Sequence, residues 1–384
     1  MREQAIAHLA TLVAFDTTSR NSNLPLIRWA EAELLRHGVA ARVIDVDGKA
    51  NLHAVIGPRV AGGVALSAHV DCVPVEAQAW TSAPFTLRRD GGRLYGRGTT
   101  DMKGFVACVL AMVPEFAAAP LLRPIHICLT HDEETTFDGA ERLMPELAAD
   151  APPPAWCVVG EPTSMRPVIA HKGYASWDVA VTGLSGHSSR TDATANALMA
   201  AAEAIAWLAA EQRRFMAEGR RVEGFNPPHT TVHAGTFHSG TVLNIVPDRA
   251  DFTFEVRTVP GDDAREVLAR FQAALEGEIM PRLRAIHPAA GFAIARRAFA
   301  PALGLAETHP LTLATQRLTG RNGAARVSYG TEAGYFEQAG VAAIVCGPGD
   351  IAQAHQPDEF IEEDELDACL GFLRRLTERQ CQPS

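Results

Sequence analysis

A chain of 384 residues exceeds the roughly 250–300 at which a single hydrophobic core stops growing, so its length predicts two domains. Nearly half the residues are apolar, a fifth are charged, and the formal net charge is −10, with no basic run longer than pairs such as Arg220-Arg221. A disordered chain is excluded, and a nucleic-acid partner is not expected.

The opening Met1-Arg2-Glu3-Gln4 is polar where a signal peptide needs an unbroken apolar stretch. No window approaches ~18 consecutive apolar residues, so no membrane span is expected. The seven cysteines (Cys72, Cys108, Cys128, Cys157, Cys346, Cys369 and Cys381) are odd in number and contain no C-x-x-C pair. That usage points to a reducing cytoplasm and against thiolate zinc.

Helical spacing predicts helices over 4–14 and 24–37, the second ended by Gly38. Val- and Ile-rich runs at 41–46, 52–56, 64–68 and 125–130 predict strands, with a helix over 104–116 between the last two. This alternation predicts an α/β sheet flanked by helices. After Pro152-Pro153-Pro154 and a buried-strand candidate at 156–159, the pattern changes. Strand 175–181, helix 193–213, strands 230–237 and 249–256, helix 264–282 and strand 291–296 spell β-α-β-β-α-β, the ferredoxin-like unit. We read 174–297 as an α+β domain inserted into an α/β domain made of 1–173 and 298–384, where the pattern resumes at 311–319, 342–346 and a closing helix over 363–379.

Five acidic or imidazole clusters fall at the predicted carboxyl ends of strands or just beyond: His69-Val70-Asp71, Asp101, Glu133-Glu134, Glu161 and His355. Open α/β sheets place their sites there. Two imidazoles and three carboxylates suit a pair of zinc ions with one carboxylate shared. Each piece has a plainer alternative. His69 and Asp71 also read as a satisfied structural pair, Asp101 as the N-cap of a helix starting near Lys103, and Asp132-Glu133-Glu134 as a solvated face. Glu161 also reads as a turn residue and His355 as a surface loop histidine. Against the solvated face, three adjacent carboxylates beside an apolar strand repel one another and need a cation or a proton.

Taken together, His69-Val70-Asp71, Gly96-Arg97-Gly98 with Asp101-Met102-Lys103-Gly104, Glu133-Glu134, Gly160-Glu161-Pro162-Thr163, Gly183-Leu184-Ser185-Gly186-His187-Ser188-Ser189 and Ala354-His355 resemble the dinuclear zinc amidohydrolases. The resemblance runs in order along essentially the whole chain. It implies a mixed, mainly parallel sheet in a catalytic domain, with the inserted domain acting as lid and dimerisation domain. It implies two zinc ions per chain, with cobalt or manganese as substitutes. His69 and Glu161 would hold one ion, Glu134 and His355 the other, and Asp101 would bridge them. Asp71 would orient His69, Glu133 would be the general acid/base, and a cis peptide would follow Asp101. His187 would reach the site of the partner subunit in a homodimer. Asn244 and Arg257 match inserted-domain positions used for substrate, and a guanidinium fork suits a carboxylate. Gly330, Thr331 and Glu332, in Gly330-Thr331-Glu332-Ala333-Gly334, would line the acyl-amino-acid site, with Glu332 either meeting a cationic side chain or serving as a structural acceptor. The expected reaction is hydrolysis of a small-molecule N-acyl amino acid, N-acetyl-L-ornithine first. An N-succinyl diamino acid, N-acetylcitrulline or a dipeptide are alternatives, as is a non-catalytic binding protein on the same fold.

Overall fold

The four apolar runs Ile125–Thr130, Val64–His69, Trp156–Pro162 and Ala342–Gly347 lie side by side and parallel, each buried almost throughout. Runs this continuous belong to strands covered on both faces. In this computed structural model, which describes residues 1–383, they form the centre of a nine-stranded sheet. Antiparallel strands flank this centre, Lys49–Ile56 and Ala41–Val46 on one side and Val168–His171 on the other, where Leu303–Gly304 and Ala325–Val327 pair with Val168–His171. The sheet is therefore mixed, with a parallel centre.

The helix Gly104–Ala118 packs between Arg2–Ala14 and Glu363–Gln380 and is buried over nearly its whole length. Its Phe105 lies so close to Gly160 that a Cβ there would stand 2.1 Å from the ring. Only glycine permits that approach, and it seats the helix directly behind Glu161. Two strands that alternation alone did not reveal, Arg88–Asp90 and Arg93–Tyr95, form a small sheet with Phe360–Glu362.

The chain divides into two compact units. The first comprises Met1–Ala170, Leu303–Arg326 and the chain from Thr331 onward; the second comprises His171–Ala302 and Val327–Gly330. In the second, an antiparallel sheet runs Thr231–Ser239, Arg249–Arg257, Tyr174–Thr182, Gly291–Ala300, the ferredoxin-like order. Its inner face alternates cleanly. Phe252, Phe254 and Trp177 point to one side, and Phe271 of the helix Ala264–Ala274 packs its ring 5.1 Å from Phe254. The single helix expected over 264–282 is interrupted by a wide turn at Leu275–Ile279 before Met280–Ile286. Pro281, which has no N–H to give, begins the new helix instead of continuing the old one. The helix expected from 193 starts at Ala197, where Asn196 caps it by accepting from Met199 N.

All seven cysteines are free thiols. Among the described residues, no helix is long and apolar enough to cross a membrane.

Candidate metal centre

His69 is the last residue of its strand, and Glu161 stands near the end of the parallel strand beside it. The loop after Ile125–Thr130 carries Glu133 and Glu134, and the segment ahead of the buried helix carries Asp101. His355 comes from the loop after Ala342–Gly347. Parallel strands bring all these ends to one edge, so residues far apart in sequence become neighbours.

The two oxygens of Asp101 face different imidazoles: Oδ1 lies 3.0 Å from His69 Nε2 and Oδ2 lies 3.2 Å from His355 Nε2. Glu161 approaches His69 Nε2 at 3.6 Å, and Glu134 approaches His355 Nε2 at 3.0 Å. Asp101 is thus the hinge of two imidazole–carboxylate pairs. Its peptide bond to Met102 is cis. The side chain caps no helix: the helix proper begins at Gly104, with Lys103 at its N-cap and no side-chain cap bond.

Asp71 lies behind this cluster, fully buried. Its carboxylate accepts from Ser19 Oγ at 2.7 Å, Glu133 N at 3.1 Å and Glu134 N at 3.3 Å. The ring Nδ1 of His69 donates to the Asp71 backbone carbonyl at 3.0 Å, with Asp71 Oδ1 3.5 Å away. One residue therefore sets the imidazole orientation chiefly through its backbone carbonyl, and the turn that aims the two glutamates apart through its carboxylate.

The electrostatics follow from the crowding. Burial, then the Glu161 charge, pushes Glu133 well above the usual carboxylate range; burial, then Asp101, does the same to Glu161. Burial and Asp101 push Glu134 up to about 7. Hydrogen bonds to Asp101 and Glu134 raise His355 to about 10, and against its burial Asp101 and Asp71 raise His69. Oε1 of Glu161 is buried without a hydrogen-bond partner. Such a cluster needs positive charge: protons, or better, cations. Donor atoms of His69, Glu133 and Glu161, and of His69, Asp101 and Glu134, lie within 4.8 Å of one another, spacing that suits metal ligation. Nitrogen and carboxylate oxygen in this ratio fit zinc and its neighbours better than calcium.

The model of Peptidase family M20/M25/M40 matches residues 65–379, most of the chain and every residue of this cluster. The chain belongs to this family. It is similar to the acetylornithine deacetylase of Myxococcus xanthus, 36% identical over 393 residues that cover 98% of this chain and 97% of that protein. Its fold matches the M20 metallo-carboxypeptidase Sso-CP2 of Sulfolobus solfataricus with a TM-score of 0.74 at 16% identity, covering 98% of this chain and 99% of the other. It also matches the YXEP protein of Bacillus subtilis, a dinuclear metal-binding peptidase of the family, with a TM-score of 0.66 at 16% identity, covering 98% and 97%. As a member of this family, the chain is a metal-dependent amidohydrolase.

Other singled-out residues of this M20 chain are placed as follows. Thr331 Oγ1 accepts from the N–H of Ala333, the first residue of the short helix Ala333–Gln338, at 3.1 Å. Glu332 is completely buried, its carboxylate accepting from Thr130 Oγ1 at 2.6 Å and from Ser67 Oγ. Both oxygens are thus engaged by hydroxyls inside the sheet, the arrangement of a structural acceptor. His187, Asn244, Arg257 and Gly330 belong to the second unit. His187 is exposed on a two-residue strand paired with Ile245–Val246, its Nδ1 2.8 Å from Ser189 Oγ, and the Asn244 carbonyl accepts from Ser188 N. Arg257 pairs with Glu255 at 3.0 Å and lies over the Tyr174 ring. Gly330 passes close to the Lys172 carbonyl and Tyr174 Cβ.

Sequence reasoning overlooked Glu359, Arg97 and Gln78. Glu359 and Arg97 form an ion pair at 2.8 Å with both side chains 1% exposed. Arg97 between two glycines, and an acid abutting the strand at Phe360, were the available signals.

Proposed function

We propose that this chain hydrolyses the amide bond of N-acetyl-L-ornithine to L-ornithine and acetate, a step of arginine biosynthesis, using two zinc ions held by His69, Asp101, Glu134, Glu161 and His355. The observation that carries the metal reading is Asp101, whose two oxygens each face a separate imidazole–carboxylate pair. The substrate reading is supported by the similarity to the Myxococcus xanthus acetylornithine deacetylase along nearly the full length of both chains.

When bound, the two cations polarise the scissile carbonyl and bring the pKa of a water toward neutrality. The chain's own residues do the rest. Asp101 fixes the spacing of the two sites, and Asp71 holds the His69 ring in the tautomer that offers Nε2. Glu133, buried with its carboxylate within 4.8 Å of donor atoms of His69 and Glu161, takes a proton from the attacking water. It then returns that proton to the leaving α-amine, so one carboxylate serves twice. His187 of a second copy, on an exposed ribbon next to Asn244, donates to the developing oxyanion. Arg257 takes the substrate carboxylate, and Asn244, Gly330 and Thr331 are the further substrate-binding residues of this reading. On this reading the second unit, corresponding to the expected 174–297, is a lid and dimerisation domain, and the enzyme is a cytoplasmic homodimer.

Metal-reconstituted protein assayed with N-acetyl-L-ornithine and N-succinyl-diaminopimelate tests the substrate. Preference for the succinyl compound would overturn the acetylornithine reading while leaving the metal chemistry intact. Mixing His187→Ala with Glu133→Ala chains tests the shared site: hybrid dimers should recover activity that neither variant has alone, and no recovery refutes sharing.

A further inference from the structure

His355 occupies the left-handed region at φ 61°, and Asp358 follows at φ 55°. Neither residue is glycine, and such backbone persists only where its surroundings over-determine it. The hold on this loop comes from two sides. Gln78 Nε2 donates to the His355 carbonyl at 2.9 Å, and Asp358 Oδ1 accepts from Thr81 N at 2.9 Å. Arg97 then ties the ends together. Its guanidinium donates to the Gln78 side-chain oxygen, to the Gln356 carbonyl at 3.3 Å and to Glu359 Oε2 at 2.8 Å.

Glu359 completes the link to the other ligand. Four residues after His355, its Oε1 accepts from Thr100 N at 2.9 Å and from Asp101 N at 3.1 Å, while Oε2 accepts from Gly98 N at 2.9 Å. The loop that presents Asp101 is thus wrapped around a carboxylate belonging to the segment that presents His355. No other side chain among the described residues accepts from those three amides.

We infer that the buried Arg97–Glu359 pair, with Gln78, is a positioning unit that fixes the separation of Asp101 and His355 and so sets how tightly the cluster holds its cations. None of the three touches a donor atom of the cluster; they act through its backbone. The inference rests on the reading of Asp101 and His355 as metal ligands. The two positions have different expected reach. Gln78 holds the His355 loop directly and reaches Asp101 only at second hand, through Arg97 and Glu359, so its loss falls first on the cation at the Glu134–His355 side. Glu359 holds Asp101, which serves both sides. In Glu359→Gln, the amide keeps an acceptor for one set of backbone N–H groups and turns a donor onto the other, beside an Arg97 left without its counter-charge.

The test is calorimetric titration of the metal-free, full-length protein with cobalt(II), together with the visible absorption of the cobalt-loaded protein and the melting temperature of the metal-free form. The expected result for Gln78→Ala is one binding step weakened about 10- to 100-fold, the other unchanged, and an unaltered metal-free melting temperature. Glu359→Gln is expected to weaken both steps and to shift the cobalt absorption bands. Wild-type cobalt affinities and spectra in both variants overturn the positioning role. Should Glu359→Gln fail to fold, Gln78→Ala alone decides: an unchanged pair of binding steps overturns the inference. A wild-type protein that takes up fewer than two cobalt ions, or a His355→Ala variant that still takes up two tightly, refutes the ligand reading itself.

Discussion

Replacing Asp71 by Asn keeps size and shape while removing one charge and one acceptor, and the structure shows where the loss falls. If the amide nitrogen took the Oδ1 position, it would oppose the Glu133 N–H now bonded there at 3.1 Å and face His69 Nδ1 at 3.5 Å. In the Oδ2 position it meets Ser19 Oγ, a hydroxyl that can turn to accept, and only the Glu134 N–H at 3.3 Å loses its partner. The second arrangement wins. Its cost is one charge-assisted hydrogen bond at a partly buried amide, about 1.5–3 kcal/mol, which frees the turn that aims Glu134. Converted at ~1.4 kcal/mol per tenfold, metal affinity should fall about 10- to 100-fold. Competition against a fluorescent chelator measures this directly, and kcat at saturating metal should fall as well, because Glu133 is carried on the same turn. A variant with wild-type metal affinity and wild-type kcat would refute the claim that the Asp71 carboxylate organises the glutamate turn.

Three further outcomes follow from the same geometry. Glu133→Gln should lower kcat by about 10²–10⁴-fold while leaving two metals per chain, and normal turnover would remove Glu133 from its role as base. Glu332→Gln should lower the melting temperature, since its carboxylate braces Ser67 and Thr130 inside the sheet, yet leave the ratio of kcat/KM for N-acetylornithine over N-acetylnorvaline unchanged; a selective loss on the cationic substrate contradicts the buried-brace assignment. Finally, His53 and His126 are stacked and buried outside the site, joined Nε2 to Nδ1 at 3.1 Å. Burial, with Arg42, lowers the first to about 4; burial, with His53, lowers the second to about 3. Both stay neutral in the folded chain while the unfolded chain protonates near pH 6.5, so stability is lost as pH falls from about 6.5 toward 4, by up to ~1.4 kcal/mol per pH unit for each ring. Comparing melting temperatures at pH 7 and pH 5, His126→Gln should show a smaller drop than the wild type, and an equal drop argues against the pair as an acid-sensitive element.

The parts legible in the sequence were those where one local pattern suffices. Continuous apolar runs gave the four central strands, because a strand covered on both faces has no polar alternation to confuse it. The charged residues ending those runs were conspicuous because an acid or imidazole next to a buried strand has no cheap solvated position. Harder to see were elements whose existence depends on a distant partner. The strands Arg88–Asp90 and Arg93–Tyr95 are three residues each and become a sheet only with Phe360–Glu362. Val168–His171 is too short for periodicity to separate from a loop, and Val327–Gly330 returns to the second unit for a few residues that no composition change marks.

Glu332 and Glu359 make the same point about chemistry. Both are buried acids beside the cluster, and their neighbours in sequence are those of a candidate site residue. One has its acceptors filled by hydroxyls from two strands, and the other is met by a guanidinium and three backbone amides that lie more than 250 residues away in sequence. A side chain's type tells which charges it can offer, but its role is decided by who has already accepted the offer. That is why Asp101 reads as a ligand here: its outer face is turned to two imidazoles, while the peptide N–H behind it is spoken for by Glu359. An acid whose backbone is fixed and whose oxygens remain paired only with titratable rings is an acid held ready for a cation, and the cobalt affinities of Gln78→Ala and Glu359→Gln measure how much of that readiness the fixing supplies.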